Sequence, residues 1–204
     1  MDREMIEGYA DAFAFVGNSL LSPMSQNSSA GLEAEFWDNF PDFGVRGVES
    51  AVFNCARRAA ILREEFCDRA VTEVSVEFTH LFVGPPRPAV APWETFYRVQ
   101  GVCDTGFGNA TFKMRRRLHE AGLELQNENN QYEDHMGIEL LFLSVLCRRG
   151  VDSDEIRSYI SHHPGFWIVR FRDAIVSNRP DGYFSTLVKL AEELVFALDK
   201  NLSD

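Results

Sequence analysis

The stretch YEDHMGIELLFLSVLCRR, residues 132–149, is the most apolar part of the chain and decides its fold class. Its apolar side chains recur at helical spacing on two adjoining faces, formed by Met136, Leu140, Leu143 and Cys147 and, beside them, by Leu141 and Val145. Gly150 follows directly, and glycine commonly occupies the left-handed position just past a helix end. The sequence therefore predicts a long helix over residues 132–149.

Helical periodicity continues on both sides of this segment. Apolar stripes with spacings of three and four residues run through residues 9–20, 32–40, 48–66, 71–81, 112–118, 164–175 and 184–198. Asp152 with Glu155 reads as a capping box that begins one further helix, and Asp181 is predicted to cap the last helix. The sequence shows no alternating strand pattern, repeat or low-complexity tract. The expected fold is all-α, a single domain over residues 1–204 built as a bundle of about eight to ten helices.

The composition limits the choice of partner. The 204 residues include 20 basic and 31 acidic side chains, and the net charge is -11. Nucleic acids and anionic membranes need a basic surface, so this balance argues against both and permits a cationic partner. No run of 18 apolar residues is present to span a membrane, and residues 1–11 do not resemble a secretory signal. The expected location is the cytoplasm.

The four cysteines support a reducing compartment. No two of Cys55, Cys67, Cys103 and Cys147 form a CxxC pair, so neither a zinc site nor a redox motif is predicted. Cysteine is among the most buried residue types, and these four are expected to pack in the core. Scattered thiols without a disulfide framework are typical of a cytosolic protein.

Residue patterns that could support catalysis are weak. Glu77 and His80 form the one ExxH pair, whereas di-iron bundles need two such pairs and further glutamates, so no metal is predicted. His135 and Glu139 share a helix face, but no nucleophile turn accompanies them. The chain has no phosphate-binding loop of the Walker type, and no cofactor is predicted.

A stiff loop stands out against this helical background. Residues 84–92 hold four prolines in nine positions, and proline neither continues a helix nor donates a backbone hydrogen bond. Trp93 and Glu94 follow directly and could form one wall of a groove, with an apolar ring and a charge. The acids of residues 133–135 have two interpretations: they stabilise the positive end of a helix dipole, or they belong to a binding site.

Four motifs in fixed order carry a family resemblance. They are LFVGP at residues 81–85, PWETFY at 92–97, EDH at 133–135 and HPGFW at 163–167, the last preceded by His162. Together they resemble the TorD/DmsD/NarJ family of cytoplasmic chaperones for molybdoenzymes, whose members carry LFxGP, P(W/Y)ES(V/F)Y and ExDH segments. The resemblance implies a helical protein that is not an enzyme.

The resemblance also implies a function and a site. Such a chaperone binds the twin-arginine signal peptide and the apo form of a DMSO reductase-family subunit, assists molybdenum cofactor insertion and delays export until the subunit has folded. The residues that the motifs assign to client and signal-peptide binding are Trp93, Glu94, Tyr97, Asp134 and His135. The loop that carries the first of them is shaped by Gly84, Pro85 and Pro92. Weak guanine-nucleotide binding and a homodimer also belong to the implied properties.

Two other function classes stay open at this point. One is a helical metal-dependent or hydrolytic enzyme, which would use His80 or His135. The other is a general adaptor protein without a role in export. The sequence names neither the client enzyme nor the groove residues outside the motifs.

Overall fold

The computed structural model describes residues 1–98, 107–125 and 131–203 of the chain. Within these ranges the prediction of an all-α fold of about eight to ten helices is confirmed. The helices are α1 (Arg3–Leu21), α2 (Ala34–Asp38), α3 (Arg46–Phe66), α4 (Ala70–Phe78), α5 (Thr95–Arg98), α6 (Asn109–Glu120), α7 (Met136–Arg148), α8 (Ser153–His162), α9 (Pro164–Asn178) and α10 (Tyr183–Asn201). Among the described residues, no helix has the length and apolarity needed to cross a membrane.

Helices α1 and α7 form the centre of the core, where two glycines let them approach closely. A Cβ atom on Gly17 would lie 2.8 Å from the carbonyl oxygen of Gly137, and one on Gly137 would lie 2.6 Å from that of Gly17. The Ser144 hydroxyl joins the same helices by donating to the Ala10 carbonyl at 2.6 Å. Larger side chains would force the pair apart, because a packed interior does not absorb an added methyl group without strain.

The predicted helix boundaries at Gly150 and Asp152 are confirmed, and Gly84 and Gly122 mark two further helix ends. Gly122 and Gly150 follow the C-cap residues of α6 and α7, and both lie in the left-handed region, with φ of +67° and +63°. Gly84, with φ of +86°, ends the π-helical turn Thr79–Val83 that continues α4. Asp152 caps α8 by accepting a hydrogen bond from the Asp154 amide at 2.9 Å.

The start of α10 differs from the prediction that Asp181 caps it. The cap comes from Glu77 of α4, whose carboxylate accepts hydrogen bonds from the amides of Tyr183 at 3.1 Å and Phe184 at 3.0 Å. Glu77 is therefore buried, and only His80 of the predicted ExxH pair faces solvent. A side chain from another helix satisfies the free amides of this helix end, and sequence-local capping rules do not detect it.

Three other expectations need correction. The long helix begins at Met136 rather than at residue 132, because His135 acts as its N-cap. The stripe over residues 32–40 is divided into the 3-10 turn Ala30–Leu32 and α2. Cys55 and Cys147 are buried as predicted, but Cys67 at the end of α3 is exposed. Cys103 and the glycines predicted to form a loop at positions 101 and 106 lie outside the described residues.

Candidate functional site

The two motifs that lie forty residues apart in sequence adjoin in space. The Glu94 amide donates to the Asp134 carbonyl, and the Met136 amide donates to the Pro92 carbonyl, both at 2.9 Å. These bonds form a short antiparallel bridge that pairs Trp93 with His135. The stiff loop after α4 is thereby held against the turn that precedes α7.

Gly84, Pro85 and Pro92 all lie in this loop. A Cβ atom on Gly84 would collide with the backbone of Arg87, and the positive φ also favours glycine there. Pro85 is exposed at the start of the loop, whereas Pro92 is buried where the loop joins the bridge. The loop thus leaves the surface and returns to the interior directly before Trp93.

Asp134 is completely buried and fully engaged with neighbouring residues. Its carboxylate accepts hydrogen bonds from the Thr95 amide at 3.0 Å, the Thr95 hydroxyl at 2.6 Å and the Thr111 hydroxyl at 3.0 Å. Burial raises the pKa of this carboxyl, and the three hydrogen bonds oppose that shift. The residue therefore joins α5 and α6 to the turn before α7.

Glu94 is also completely buried, and it forms an ion-paired network. One carboxylate oxygen pairs with Arg98, and the other accepts from Nδ1 of His163 at 3.0 Å. Nε2 of His163 accepts from Nε of Arg117 at 3.0 Å, which leaves the imidazole proton on Nδ1. Burial acts to raise the pKa of Glu94, but hydrogen bonds from His163 and Glu139 outweigh it and hold this pKa below its usual value.

Glu139 of α7 lies next to this network, and its pKa is shifted in the opposite direction to that of Glu94. It is completely buried, and one of its oxygens accepts from Nε1 of Trp167 at 2.9 Å. Burial, and then the charge of Glu94, raise the pKa of Glu139 well above its ordinary value. The two pKa values move apart because each of two adjacent buried carboxyl groups opposes the ionisation of the other.

Glu94, Glu139 and His163 are the candidate metal ligands among the described residues. One donor atom from each lies within 4.8 Å of the others. The donors fit poorly, because guanidinium groups of Arg98 and Arg117 already contact Glu94 and His163 and supply the positive charge. The cluster is therefore a hydrogen-bonded and ion-paired support.

His135 and Tyr97 support the same region. Nδ1 of His135 accepts from the Gly137 amide at 3.0 Å, and burial lowers the pKa of this imidazole to about 3. The Tyr97 hydroxyl donates to the Ala91 carbonyl at 3.0 Å, and its ring packs 4.9 Å from that of Trp167. His135 is therefore neutral, and its exposed fraction is 1%.

Trp93 lies at the surface of this support. Its ring is half-buried, and its Nε1 atom is shielded from solvent without a hydrogen-bond partner among the described residues. The ring lies 5.9 Å from that of Phe96 and 6.0 Å from that of Tyr132. It also lines a cavity of about 460 Å³, together with Leu21, Pro23, Phe82, Val83 and Pro88.

The five predicted site residues thus lie close together in the structure, but they differ in solvent exposure. Trp93 and Tyr97 are partly accessible, whereas Glu94, Asp134 and His135 are buried with partners inside the chain. The expectation that Glu94 and Asp134 line an open groove does not match this placement. Their role in client binding stays a prediction.

Sequence reasoning missed two members of the buried network. His163 belongs to one of the four motifs, but the sequence does not predict it as a site residue. Glu139 enters the sequence analysis only as a partner of His135. Glu139 is a carboxylate within the most apolar helix, and that position is the signal that could have identified it. Charged side chains inside a core are rare unless they are paired.

Fold and site define an all-helical protein whose motif residues form one buried support beneath a partly exposed aromatic surface. A sequence model of the family described as nitrate reductase delta subunit matches residues 50–173, which is more than half of the chain. The chain belongs to this family, which includes the TorD, DmsD and NarJ proteins, as the motifs predicted.

Similar proteins include two kinds of named chaperone. The "Tat proofreading chaperone DmsD" of Salmonella typhi is 27% identical over 111 residues, which are 54% of this chain and 53% of that protein. The "Chaperone protein TorD" of Vibrio cholerae serotype O1 (strain O395) is 25% identical over 135 residues, 60% of this chain and 59% of that protein. The "Chaperone protein TorD" of Aliivibrio fischeri is 26% identical over 133 residues, 59% of this chain and 60% of that protein. The chain thus spans between half and two thirds of these relatives.

Proposed function

We propose that this protein is a cytoplasmic chaperone for the maturation of a DMSO reductase-family molybdoenzyme subunit. It binds the twin-arginine signal peptide and the apo form of that subunit, assists molybdenum cofactor insertion and delays export until folding is complete. The family membership and the chaperone names of the relatives support this proposal. A homodimer and weak guanine-nucleotide binding stay predictions.

The observation that carries the proposal is a continuous strip of aromatic rings at the motif site. The aromatic strip consists of Phe96, Trp93, Tyr132, Phe107 and Phe112, and its successive ring centroids are 5.9, 6.0, 5.6 and 4.8 Å apart. Tyr132, Phe107 and Phe112 are 36%, 38% and 54% exposed. An exposed apolar surface of this kind is typical of a protein-interaction site.

The buried residues then have a positioning role. Asp134 and Glu94 hold the backbone that carries Trp93, and His135 is bridged to Trp93 directly. A client arginine would have to displace Arg98 before it could reach the Glu94 carboxylate. We therefore assign client contact to the aromatic strip, and the support of that strip to the three buried residues.

Copurification from the source cell tests the function. The tagged protein is isolated, and mass spectrometry identifies its partners; we expect a molybdoenzyme catalytic subunit that retains its leader. Trp93→Ala should reduce recovery about 5- to 150-fold, the range for an aromatic anchor worth ~1–3 kcal/mol. Phe196→Ala is the matched control, because Phe196 is 44% exposed on α10, outside the strip. Recovery of no molybdoenzyme subunit would reject the proposal.

A further inference from the structure

The negative charge of the chain is concentrated in one part of it. Residues 1–49 contain nine acidic and two basic side chains, so they carry a net charge of -7 out of -11 for the whole chain. The family match begins at residue 50, and this segment lies outside it. Most of the negative charge therefore lies in residues 1–49, outside the region that matches the family.

An apolar groove crosses this acidic segment. It has a volume of about 510 Å³ and lies between α1, α2 and the 3-10 turn Ala30–Leu32. We name it the acidic groove; its defining residues are Phe15, Phe36 and Phe40 on the floor and Asp11, Glu33 and Glu35 on the rim. The floor rings pack together, with centroids 4.4 Å apart for Phe15 and Phe36 and 5.9 Å apart for Phe36 and Phe40.

The surface continues beyond Pro41. A second depression of about 310 Å³ shares Phe40 and Pro41 with the acidic groove and includes the acids Asp38, Asp42 and Glu49. Phe53 lines it and is the most exposed of the large apolar side chains described. Aromatic side chains and carboxylates therefore line both depressions.

The rim acids differ from the motif acids in accessibility. All three rim side chains are exposed, and Glu35 has no ion-pair partner among the residues that the structure describes. Asp11 contacts Arg148 at 2.5 Å and Glu33 contacts Arg63, but these pairs are solvent-exposed. Exposed ion pairs contribute little free energy to folding, so an incoming cation can replace the internal partner.

We propose that the acidic groove binds the basic residues of a client leader, and that its phenylalanine floor takes the apolar residues that follow them. Guanidinium groups pair with carboxylates through two parallel hydrogen bonds, and an apolar segment fits a groove of aromatic rings. A second copy of this chain is the wrong occupant, because two acidic segments would repel each other. This inference rests on the proposed function and adds the place where the arginines bind.

Isothermal titration calorimetry with a synthetic peptide tests this assignment. The peptide carries two arginines followed by an apolar stretch, and a matched peptide carries two glutamines instead. The double variant Glu33→Gln/Glu35→Gln should weaken binding of the arginine peptide about tenfold or more, and binding of the glutamine peptide should not change. The weakening should diminish as salt is raised, because exposed charges are screened.

The control variant is Asp154→Asn/Glu155→Gln, which removes the same charge from exposed positions on α8. It should bind the arginine peptide like the wild-type protein. Equal effects of the two double variants would reject the acidic groove, because only net charge would then matter. Failure of the wild-type protein to bind the arginine peptide would also reject the assignment. A third contradicting result would be that Trp93→Ala loses binding of this peptide while Glu33→Gln/Glu35→Gln retains it. The proposed function is tested separately, by copurification of the client.

Discussion

Two sets of carboxylates in this molecule have the same chemistry but differ in solvent exposure. Glu94 and Asp134 belong to the family motifs and are completely buried, whereas Glu33 and Glu35 rim the acidic groove and are exposed. Each buried carboxylate has partners inside the chain, and Glu35 has none among the described residues. The comparison shows that a motif carboxylate can serve to hold a surface in place, while accessible charge lies elsewhere.

The reason is the cost of removing a charge from water. An unpaired buried carboxylate would be unstable, so Glu94 and Asp134 are each saturated with donors inside the chain. A saturated carboxylate is poorly suited to bind an external arginine, because its present partners would first have to leave. An exposed carboxylate is already solvated and can exchange water for a ligand at little cost.

The largest effect is expected at Asp134. Asp134→Ala leaves the Thr95 amide and the Thr95 and Thr111 hydroxyls without their acceptor. We expect the free energy of unfolding to fall by roughly 3–5 kcal/mol, because each buried donor left without an acceptor costs about 1–3 kcal/mol. Urea denaturation measures this change. A loss below about 1 kcal/mol would mean that Asp134 contributes no more to stability than an exposed carboxylate does.

A second test separates the two adjoining carboxyl groups. Glu94→Gln removes the anion that Arg98 and His163 contact, and should cost roughly 2–3 kcal/mol at neutral pH. Glu139→Gln mimics the protonated acid and keeps an acceptor for Trp167, so it should cost less than about 1 kcal/mol. Equal losses in the two variants would mean that Glu139 is ionised.

The third test concerns pH and the buried His135. Its pKa is lowered from 6.5 to about 3 by burial, so between these values the unfolded chain binds a proton that the folded chain does not. Stability is therefore complete above pH 6.5 and decreases on acidification by up to ~1.4 kcal/mol per pH unit from this residue. His163, with its pKa also lowered, contributes in the same direction.

His135→Asn keeps an acceptor for the Gly137 amide but does not titrate. It should make the dependence of unfolding free energy on pH shallower between pH 6.5 and the lowest pH at which the protein stays folded. Thermal unfolding at a series of pH values measures this dependence. An unchanged slope would mean that His135 is protonated in the folded protein.

The smallest effect is expected at the rim of the acidic groove. Glu35→Ala should change the free energy of unfolding by no more than about 0.5 kcal/mol, since the side chain is exposed and unpaired within the described part of the chain. Urea denaturation in parallel with Asp134→Ala provides the direct contrast. A loss above about 1 kcal/mol would show that Glu35 stabilises the fold, and the two sets of carboxylates would no longer differ.

Much of the fold follows from the order of residues along the chain. Apolar spacing locates the long helices, and Gly84, Gly122 and Gly150 mark where helical segments end. The four motifs are enough to indicate the family. These features depend on residues within one or two turns of each other, and such short-range patterns are visible in sequence.

The burial of charged side chains does not follow in the same way. Glu77 caps a helix that begins 106 residues later, and Glu94 meets His163 from 69 residues away. Whether a carboxylate faces solvent or the core depends on such distant partners, because only they supply the donors that make its burial tolerable. The sequence by itself therefore identified the motif carboxylates and the family. Only the packing of α5, α6, α7 and α9 decided that Glu94 and Asp134 are buried and support the site from inside.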